Sequence, residues 1–212
     1  MRSNIDLKEL ERSAFRTTFE DGLTDVLLGA VFVVMSLVPL LESWGIQRAF
    51  GYLTAFALLF LVWLVIRTVK IQFVQPRMGT AVFGPDRKNR MKQARVALAV
   101  MLLATVALVA LTATGVMQNL FGSFAVWSGY FFIGAVFVVS LSLLAFFLDY
   151  PRLYVYGWFL AFMDPFTVWL GTSTGWVFPR GATVFGGVIV LIGVFTFVRF
   201  LQRHPLSEQP SI

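Results

Sequence analysis

Residues 123–148 read SFAVWSGYFFIGAVFVVSLSLLAFFL, a run of 26 residues without a charged side chain. About 20 mostly apolar residues are enough for an α-helix to cross the roughly 30 Å hydrocarbon core of a bilayer. This stretch is therefore predicted to be a transmembrane helix. Other apolar segments of similar length lie on both sides of it, and the six predicted spans cover residues 22–41, 50–69, 94–114, 123–148, 152–170 and 181–201.

The composition supports the same class of protein. Of the 212 residues, 58% are hydrophobic and 13% are charged, whereas an ordinary soluble domain is about 45–50% apolar and about 25% charged. Intrinsic disorder is excluded because disordered chains are poor in aromatic residues, which make up 16% of this chain. The chain has no Cys and a single His, so we predict neither a metal site nor a cofactor. The predicted fold is all-α, a polytopic helical membrane protein.

The basic residues predict the orientation of the six spans. With both termini in the cytosol, 15 of the 17 Lys and Arg residues fall on the inner side, as the positive-inside rule requires. The fifth span is interrupted by Asp164-Pro165, so five spans with a re-entrant fifth segment are the alternative. That alternative would leave Arg199 and Arg203 outside, and six spans therefore fit the rule better.

The predicted membrane domain covers residues 21–203. Two polar segments flank it, and a third lies between two of its spans. Residues 1–20 are predicted to form an amphipathic helix on the inner surface. The inner loop 70–93 contains β-prone residues around a turn, which predicts a small β-hairpin within residues 70–84. The tail 204–212 is rich in Pro and Ser and is predicted to be disordered.

Asp164 is the most conspicuous residue within a predicted span. An ionised carboxylate in the hydrocarbon costs at least about 2.5–3.5 kcal/mol, so its presence there calls for a reason. Thr167 shares its helical stripe, and Ser142 of the fourth span is a candidate partner. The functional interpretation is a proton, cation or substrate site. The structural interpretation is that Asp164 caps a helix break or is neutral and hydrogen-bonded.

A second candidate site is an acidic and basic cluster on the cytosolic side. Asp21 and Asp25 lie four residues apart at the start of the first span, and we expect them to pair with Arg77 or Arg87 of the inner loop. A simpler reason is that the helix dipole favours carboxylates in a first turn, and an ion-entry site is a further alternative. Other basic residues are expected to contact anionic lipid headgroups or merely to fix the orientation: Lys70, Lys88, Arg90, Lys92 and Arg95.

Two stretches resemble a known group of proteins. They are EDGLTD at residues 20–25 and PRMG at 76–79, followed by FGPDRK at 83–88. The chain resembles a group of small prokaryotic membrane proteins of unknown function. These have Asp-Gly-Leu at the first span and Pro-Arg-x-Gly followed by Phe-Gly-Pro-x-Arg-Lys in the next inner loop. The resemblance covers the first half of the chain. It implies a multi-pass protein of the prokaryotic inner membrane, and no activity.

These observations leave three functions open. The first is a non-enzymatic membrane protein whose basic cytosolic rim contacts anionic lipids or a protein partner. The second is a small transporter or channel that uses Asp164, including the substrate-capturing subunit of an uptake system. The third is a lipid-modifying enzyme, although no nucleophile, base and metal set can be assembled. Nucleic acid is not expected as a partner, because topology already explains the basic charge. Stripes of small residues either close one bundle or join a homo-oligomer.

Overall fold

The computed structural model describes residues 20–78, 85–114, 116, 119, 122, 125–174 and 180–204, and its regular elements over these residues are all helical. In chain order they are α1 (Leu23–Ser43), α2 (Arg48–Val69), a π-helical turn (Lys70–Val74), α3 (Gln75–Met78), α4 (Pro85–Ala113), α5 (Ala125–Leu148), α6 (Arg152–Ala161), α7 (Met163–Thr174) and α8 (Arg180–Arg203). The predicted surface helix over residues 1–20 lies outside the described residues except for residue 20. The predicted disordered tail lies outside them beyond His204.

Four helices are long and apolar enough to cross a membrane: Leu23–Ser43, Arg48–Arg77, Gly129–Leu148 and Gly181–Arg203. They coincide with the predicted first, second, fourth and sixth spans, and they suggest a membrane protein. The predicted third span falls within α4, which is 29 residues long. The predicted fifth span is divided between α6 and α7.

The chain divides into two compact units. The first unit contains α1, α2, the π-helical turn, α3 and α8, and α1 packs against both α2 and α8. The second unit contains α4 to α7, and α5 packs against both α4 and α6. The residues predicted as one membrane domain are therefore distributed over two separately packed groups of helices.

Small residues at seven-residue intervals bring α1 against α8. Gly22, Gly29 and Ser36 form this row on α1. A Cβ atom on Gly29 would lie 2.6 Å from the carbonyl oxygen of Gly186 on α8, so only glycine permits this approach of the two backbones. At the end of the row the hydroxyl groups of Ser36 and Thr183 are hydrogen-bonded at 2.8 Å. The small residues Gly186 and Gly193 of α8 thus belong to a packing face of the first unit.

The predicted β-hairpin within residues 70–84 is wrong in its first half. Lys70–Val74 is a π-helical turn that continues into α3. Val74 is buried in a core cluster with Leu23 and Phe200, and this burial outweighs the β propensity of the segment. Pro76, which follows the turn, has no N–H to donate to the carbonyl four residues earlier. Residues 79–84, the second half of the hairpin, lie outside the described residues.

The predicted interruption of the fifth span is confirmed. Helix α6 ends at Ala161 and α7 begins at Met163. Pro165 has no N–H to donate to the carbonyl of Ala161, four residues earlier, which explains why the break precedes the proline. The freed carbonyl faces α5, because a Cβ atom on Gly134 would lie 3.1 Å from the carbonyl oxygen of Ala161.

Candidate functional site

The sequence Asp21-Gly22-Leu23 forms a tight turn that begins α1. An oxygen of the Asp21 carboxylate accepts a hydrogen bond of 3.0 Å from the backbone N–H of Leu23, the first residue of the helix. Gly22 has a φ of 70°, which is a left-handed conformation that glycine adopts without strain. A Cβ atom there would also lie 2.4 Å from the carbonyl oxygen of Gly193. The turn therefore requires glycine for two independent reasons.

Asp21 also forms an ion pair with Lys70, from the π-helical turn. The Nζ atom of Lys70 lies 3.1 Å from Oδ2 of Asp21, whose side chain is fully buried, whereas the Lys70 side chain is 36% exposed. Asp25, one turn further along α1, is also fully buried. Within the described part of the chain, the cation held by Asp21 is Lys70. Lys70 pairs with the Asp21 carboxylate and also lines a groove between α1 and α2, and its expected contact with lipid headgroups remains a prediction.

The two arginines that were expected to pair with Asp21 and Asp25 lie in different units of the structure. Arg77 lies in α3 of the first unit and is half-buried. Its Nε and Nη1 atoms are buried without a hydrogen-bond partner among the described residues. Arg87 lies in α4 of the second unit, and its side chain lies outside the described residues. The pairing of these arginines with Asp21 and Asp25 therefore remains a prediction.

A groove of about 410 Å³ opens beside the Asp21–Lys70 pair, between the start of α1 and the end of α2. Its lining combines four aliphatic side chains, one indole, two cations and two uncharged polar side chains. The lining residues are Leu23, Thr24, Leu27, Trp63, Ile66, Arg67, Lys70, Ile71 and Gln75. The groove lies wholly within the first unit, so its shape depends on the packing of α1 against α2.

Trp63, Arg67 and Lys70 follow one face of α2 and its continuation, at spacings of four and three residues. The guanidinium carbon of Arg67 lies 5.3 Å from the centroid of the Trp63 ring, within the range of a cation–π interaction. Both side chains are exposed. Neither Trp63 nor Arg67 was among the residues predicted for a site. Their four-residue spacing at the cytosolic end of a predicted span was the signal that would have identified them.

The other predicted headgroup contacts lie on α4 in the second unit. Arg90 is 3.7 Å from a carboxylate oxygen of Asp149, whose side chain is 6% exposed. Lys92 and Arg95 are exposed. The side chain of Lys88 lies outside the described residues. Lys92 and Arg95 are therefore exposed cations that lie outside the Arg90–Asp149 pair.

Asp164 lies in the first turn of α7 and is half-buried. A carboxylate at this position interacts favourably with the N-terminal end of the helix dipole. The hydroxyl of Thr167 donates a hydrogen bond of 2.9 Å to the carbonyl of Met163. Because α6 ends at Ala161, the stripe predicted to run through Asp164 along one continuous helix is interrupted. Asp164 thus lies at the break between α6 and α7, and its structural and functional interpretations both remain predictions.

Ser142 is not brought next to Asp164. Gly134 of α5 lies opposite Ala161, three residues before Asp164. Ser142 is eight residues further along α5, which corresponds to about 12 Å at 1.5 Å per residue. Helices α5 and α6 run in opposite directions past this contact, since Gly157 packs against Val138. Ser142 and Asp164 therefore lie on opposite sides of the Gly134–Ala161 contact.

Comparisons with family models, curated proteins and solved structures found no match. Among the described residues, no group of three or more His, Cys, Asp or Glu side chains is arranged to hold a metal ion. The class that the fold suggests is a membrane protein, since four of the described helices are long and apolar enough to cross a bilayer.

Proposed function

We propose that this chain is a non-enzymatic, multi-pass protein of a prokaryotic inner membrane whose basic cytosolic rim binds anionic phospholipids. The observation that carries the proposal is the set of exposed cations Arg67, Lys92 and Arg95, and the groove between α1 and α2 adds an aliphatic wall beside Arg67 and Lys70. Phospholipids combine a phosphate with acyl chains, so a site for them needs cations next to apolar surface. The groove offers both within one unit of the protein.

The proposal includes six spans with both termini in the cytosol. Helix α4, with 29 residues, is about 43 Å long, and α6 and α7 together supply 22 residues, or about 33 Å. Both lengths exceed the roughly 30 Å of hydrocarbon. Further support comes from ion pairs within each unit, because each pair joins residues predicted on the same side of the membrane. The Asp21–Lys70 and Arg90–Asp149 pairs lie on the predicted cytosolic side, and the Glu42–Arg48 pair lies on the predicted outer side.

With this topology, Arg67, Lys92 and Arg95 lie at the inner leaflet, where anionic lipids create a negative surface potential. Each basic residue near such a surface contributes about 1 kcal/mol to attraction, and the attraction weakens as salt is added. The exposed cations are therefore expected to enrich anionic lipid around the protein.

The experiment compares lipid retention between variants of the purified protein. After extraction from bilayers of phosphatidylglycerol and phosphatidylethanolamine, the ratio of the two retained lipids is measured by mass spectrometry. The double variant Lys92→Ala/Arg95→Ala is expected to lower the anionic share severalfold. The control is Arg48→Ala, at the predicted outer surface, which is expected to leave it unchanged. An equal ratio for wild type and double variant would contradict the proposal.

A transporter or channel is the second candidate function. The break between α6 and α7 favours it, because interrupted helices often line ion and substrate sites in membrane transporters. The test is proton and monovalent-cation flux into liposomes that contain the protein. This function predicts flux above that of empty liposomes and a loss of flux in Asp164→Asn. Flux that is absent, or equal in both proteins, would exclude this role for Asp164.

A further inference from the structure

The groove has the chemistry of a site for one amphiphilic molecule. Its volume of about 410 Å³ falls in the range of small-molecule sites. Leu27 and Ile66 are half-buried in its wall, whereas Arg67 is exposed at its edge. The hydroxyl-bearing side chain of Thr24 belongs to the α1 side of the groove. The anionic group of an amphiphilic molecule would lie beside Arg67 at this edge, and the apolar part of the same molecule would cover the aliphatic wall.

Trp63 defines the depth of the groove in the membrane. It precedes Arg67 by one helical turn, or about 6 Å along α2. Indole rings prefer the boundary between headgroups and hydrocarbon, so Arg67 is placed at the level of the phosphates in the proposed topology. The ring holds the guanidinium 5.3 Å from its centroid. Because an aromatic ring has no net charge, the positive charge of Arg67 remains uncompensated by this contact.

Lys70 differs from Arg67 in its electrostatic surroundings. Its amine is 3.1 Å from Oδ2 of the fully buried Asp21, and this carboxylate compensates its charge. The position of Asp21 is fixed in turn, because its other carboxylate oxygen accepts the N–H of Leu23. The groove thus presents one cation beside a ring and one cation beside a buried carboxylate.

We propose that the groove binds the headgroup of one diacyl phospholipid that carries a single negative charge, with Arg67 binding the phosphate and Asp21 determining specificity. This inference rests on the proposed function and names the lipid class of one site. Among the described residues of the groove, Arg67 is the cation outside the Asp21–Lys70 ion pair, and the single charge of a phosphodiester headgroup such as that of phosphatidylglycerol matches it. A phosphomonoester carries about −1.5 to −2 charges at neutral pH, and its additional charge would be left to Lys70 in the groove lining, whose charge the buried Asp21 carboxylate already compensates. Asp21 therefore selects against phosphatidic acid.

The test is native mass spectrometry of the full-length protein, taken from bilayers with equal amounts of phosphatidylglycerol, phosphatidic acid and phosphatidylethanolamine. We expect one phosphatidylglycerol molecule to be retained preferentially. Arg67→Gln is expected to lower this occupancy at least tenfold, and Arg67→Lys is expected to restore most of it. The matched control is Arg199→Gln, on the exposed surface of α8 in the same unit. Unchanged occupancy in Arg67→Gln would overturn the inference.

Two variants test the role of Asp21 in lipid specificity. Asp21→Asn removes the carboxylate charge beside the Lys70 amine, and we expect it to raise the ratio of phosphatidic acid to phosphatidylglycerol at least threefold. If this variant does not fold, Lys70→Gln provides the test with the opposite sign. It leaves the Asp21 charge uncompensated and is expected to lower the occupancy of both anionic lipids at least tenfold relative to phosphatidylethanolamine. An unchanged lipid ratio in the variant that folds would refute the role of Asp21.

Two further measurements separate the inference from the proposed function. Glycerophosphoglycerol, which is the phosphatidylglycerol headgroup without acyl chains, is expected not to displace the lipid at hundredfold excess, and displacement would contradict a lipid site. If Arg67→Gln has no effect but Lys92→Ala/Arg95→Ala lowers anionic lipid, the groove is refuted and the basic rim stands. If neither has an effect, both are refuted.

Discussion

The amine of Lys70 lies 3.1 Å from a carboxylate oxygen of Asp21, and this ion pair joins the turn that begins α1 to the π-helical turn that follows α2. The carboxylate is fully buried and also accepts a hydrogen bond from Leu23. One side chain thus starts a helix, holds the neighbouring helix and sets the charge at one end of the groove. Substitution of Asp21 is therefore expected to affect the start of α1, the contact with the end of α2 and the charge of the groove together.

Loss of the Asp21 carboxylate is predicted to destabilise the protein. Asp21→Ala removes the hydrogen bond to the N–H of Leu23, which contributes about 0.5–1.5 kcal/mol net, and also removes the Asp21–Lys70 ion pair. Because Lys70 is partly exposed, solvent compensates part of that loss, and we expect a total of about 1–3 kcal/mol. Thermal unfolding in detergent measures the effect. The matched control is Glu42→Ala, which breaks the exposed pair with Arg48. A loss in the control as large as in Asp21→Ala would contradict this account.

The contact between α1 and α8 is predicted to depend on Gly186. A Cβ atom there would lie 2.9 Å from the carbonyl oxygen of Gly29, and forced overpacking costs about 1–3 kcal/mol. The adjacent Gly187 has open space around its Cβ position, so Gly187→Ala should be neutral or stabilising by up to about 1 kcal/mol. Unfolding by denaturant in detergent compares the two variants. Equal stability of Gly186→Ala and Gly187→Ala would show that the helices do not meet in this way.

The second unit offers an equivalent comparison at Gly134. An added Cβ atom would lie 3.1 Å from the carbonyl oxygen of Ala161 and 3.3 Å from its side chain. Gly134→Ala is therefore predicted to lower the melting temperature of the protein. Gly129→Ala, on the same helix with no atom within 4 Å of the added carbon, is predicted to leave it unchanged or to raise it. The reverse order would contradict the packing of α5 against the end of α6.

The topology is testable because the chain has no native cysteine. In whole cells, a membrane-impermeant maleimide is expected to label Gln47→Cys, in the predicted outer loop, and not Lys92→Cys, at the predicted inner surface. Both positions are exposed in the structure. After the membrane is made permeable, both variants should react equally. Labelling of Lys92→Cys in intact cells would place the basic rim outside and refute the proposed orientation.

Much of the fold was predictable because apolar segments of about 20 residues have few alternatives to helices in a membrane. Four such segments coincide with helices of the right length, and Asp164-Pro165 marked the helix break almost to the residue. Residues 70–74 were mispredicted because β propensity is weak compared with burial. Val74 packs against Leu23 and Phe200, which are 51 and 126 residues away, and no local pattern contains that information.

The candidate site was predictable only in part. The spacing of Asp21 and Asp25 correctly drew attention to the start of the first span, where both side chains are buried. The cation that reaches Asp21 was not evident, because Lys70 and Asp21 are 49 residues apart in the chain and only the packed helices bring them together. The groove arises from the packing of α1 against α2, so Trp63 and Arg67 acquire their significance only in the folded chain.

The central claim is that the protein prefers anionic phospholipid at its cytosolic rim. Its most direct test is competition between phosphatidylglycerol and phosphatidylethanolamine for the wild-type protein, measured by native mass spectrometry at low and high salt. The account predicts retention of phosphatidylglycerol well above its share of the bilayer, with a preference that weakens as salt screens the cations. Retention of the two lipids in proportion to their bilayer abundance, at both salt concentrations, would contradict it.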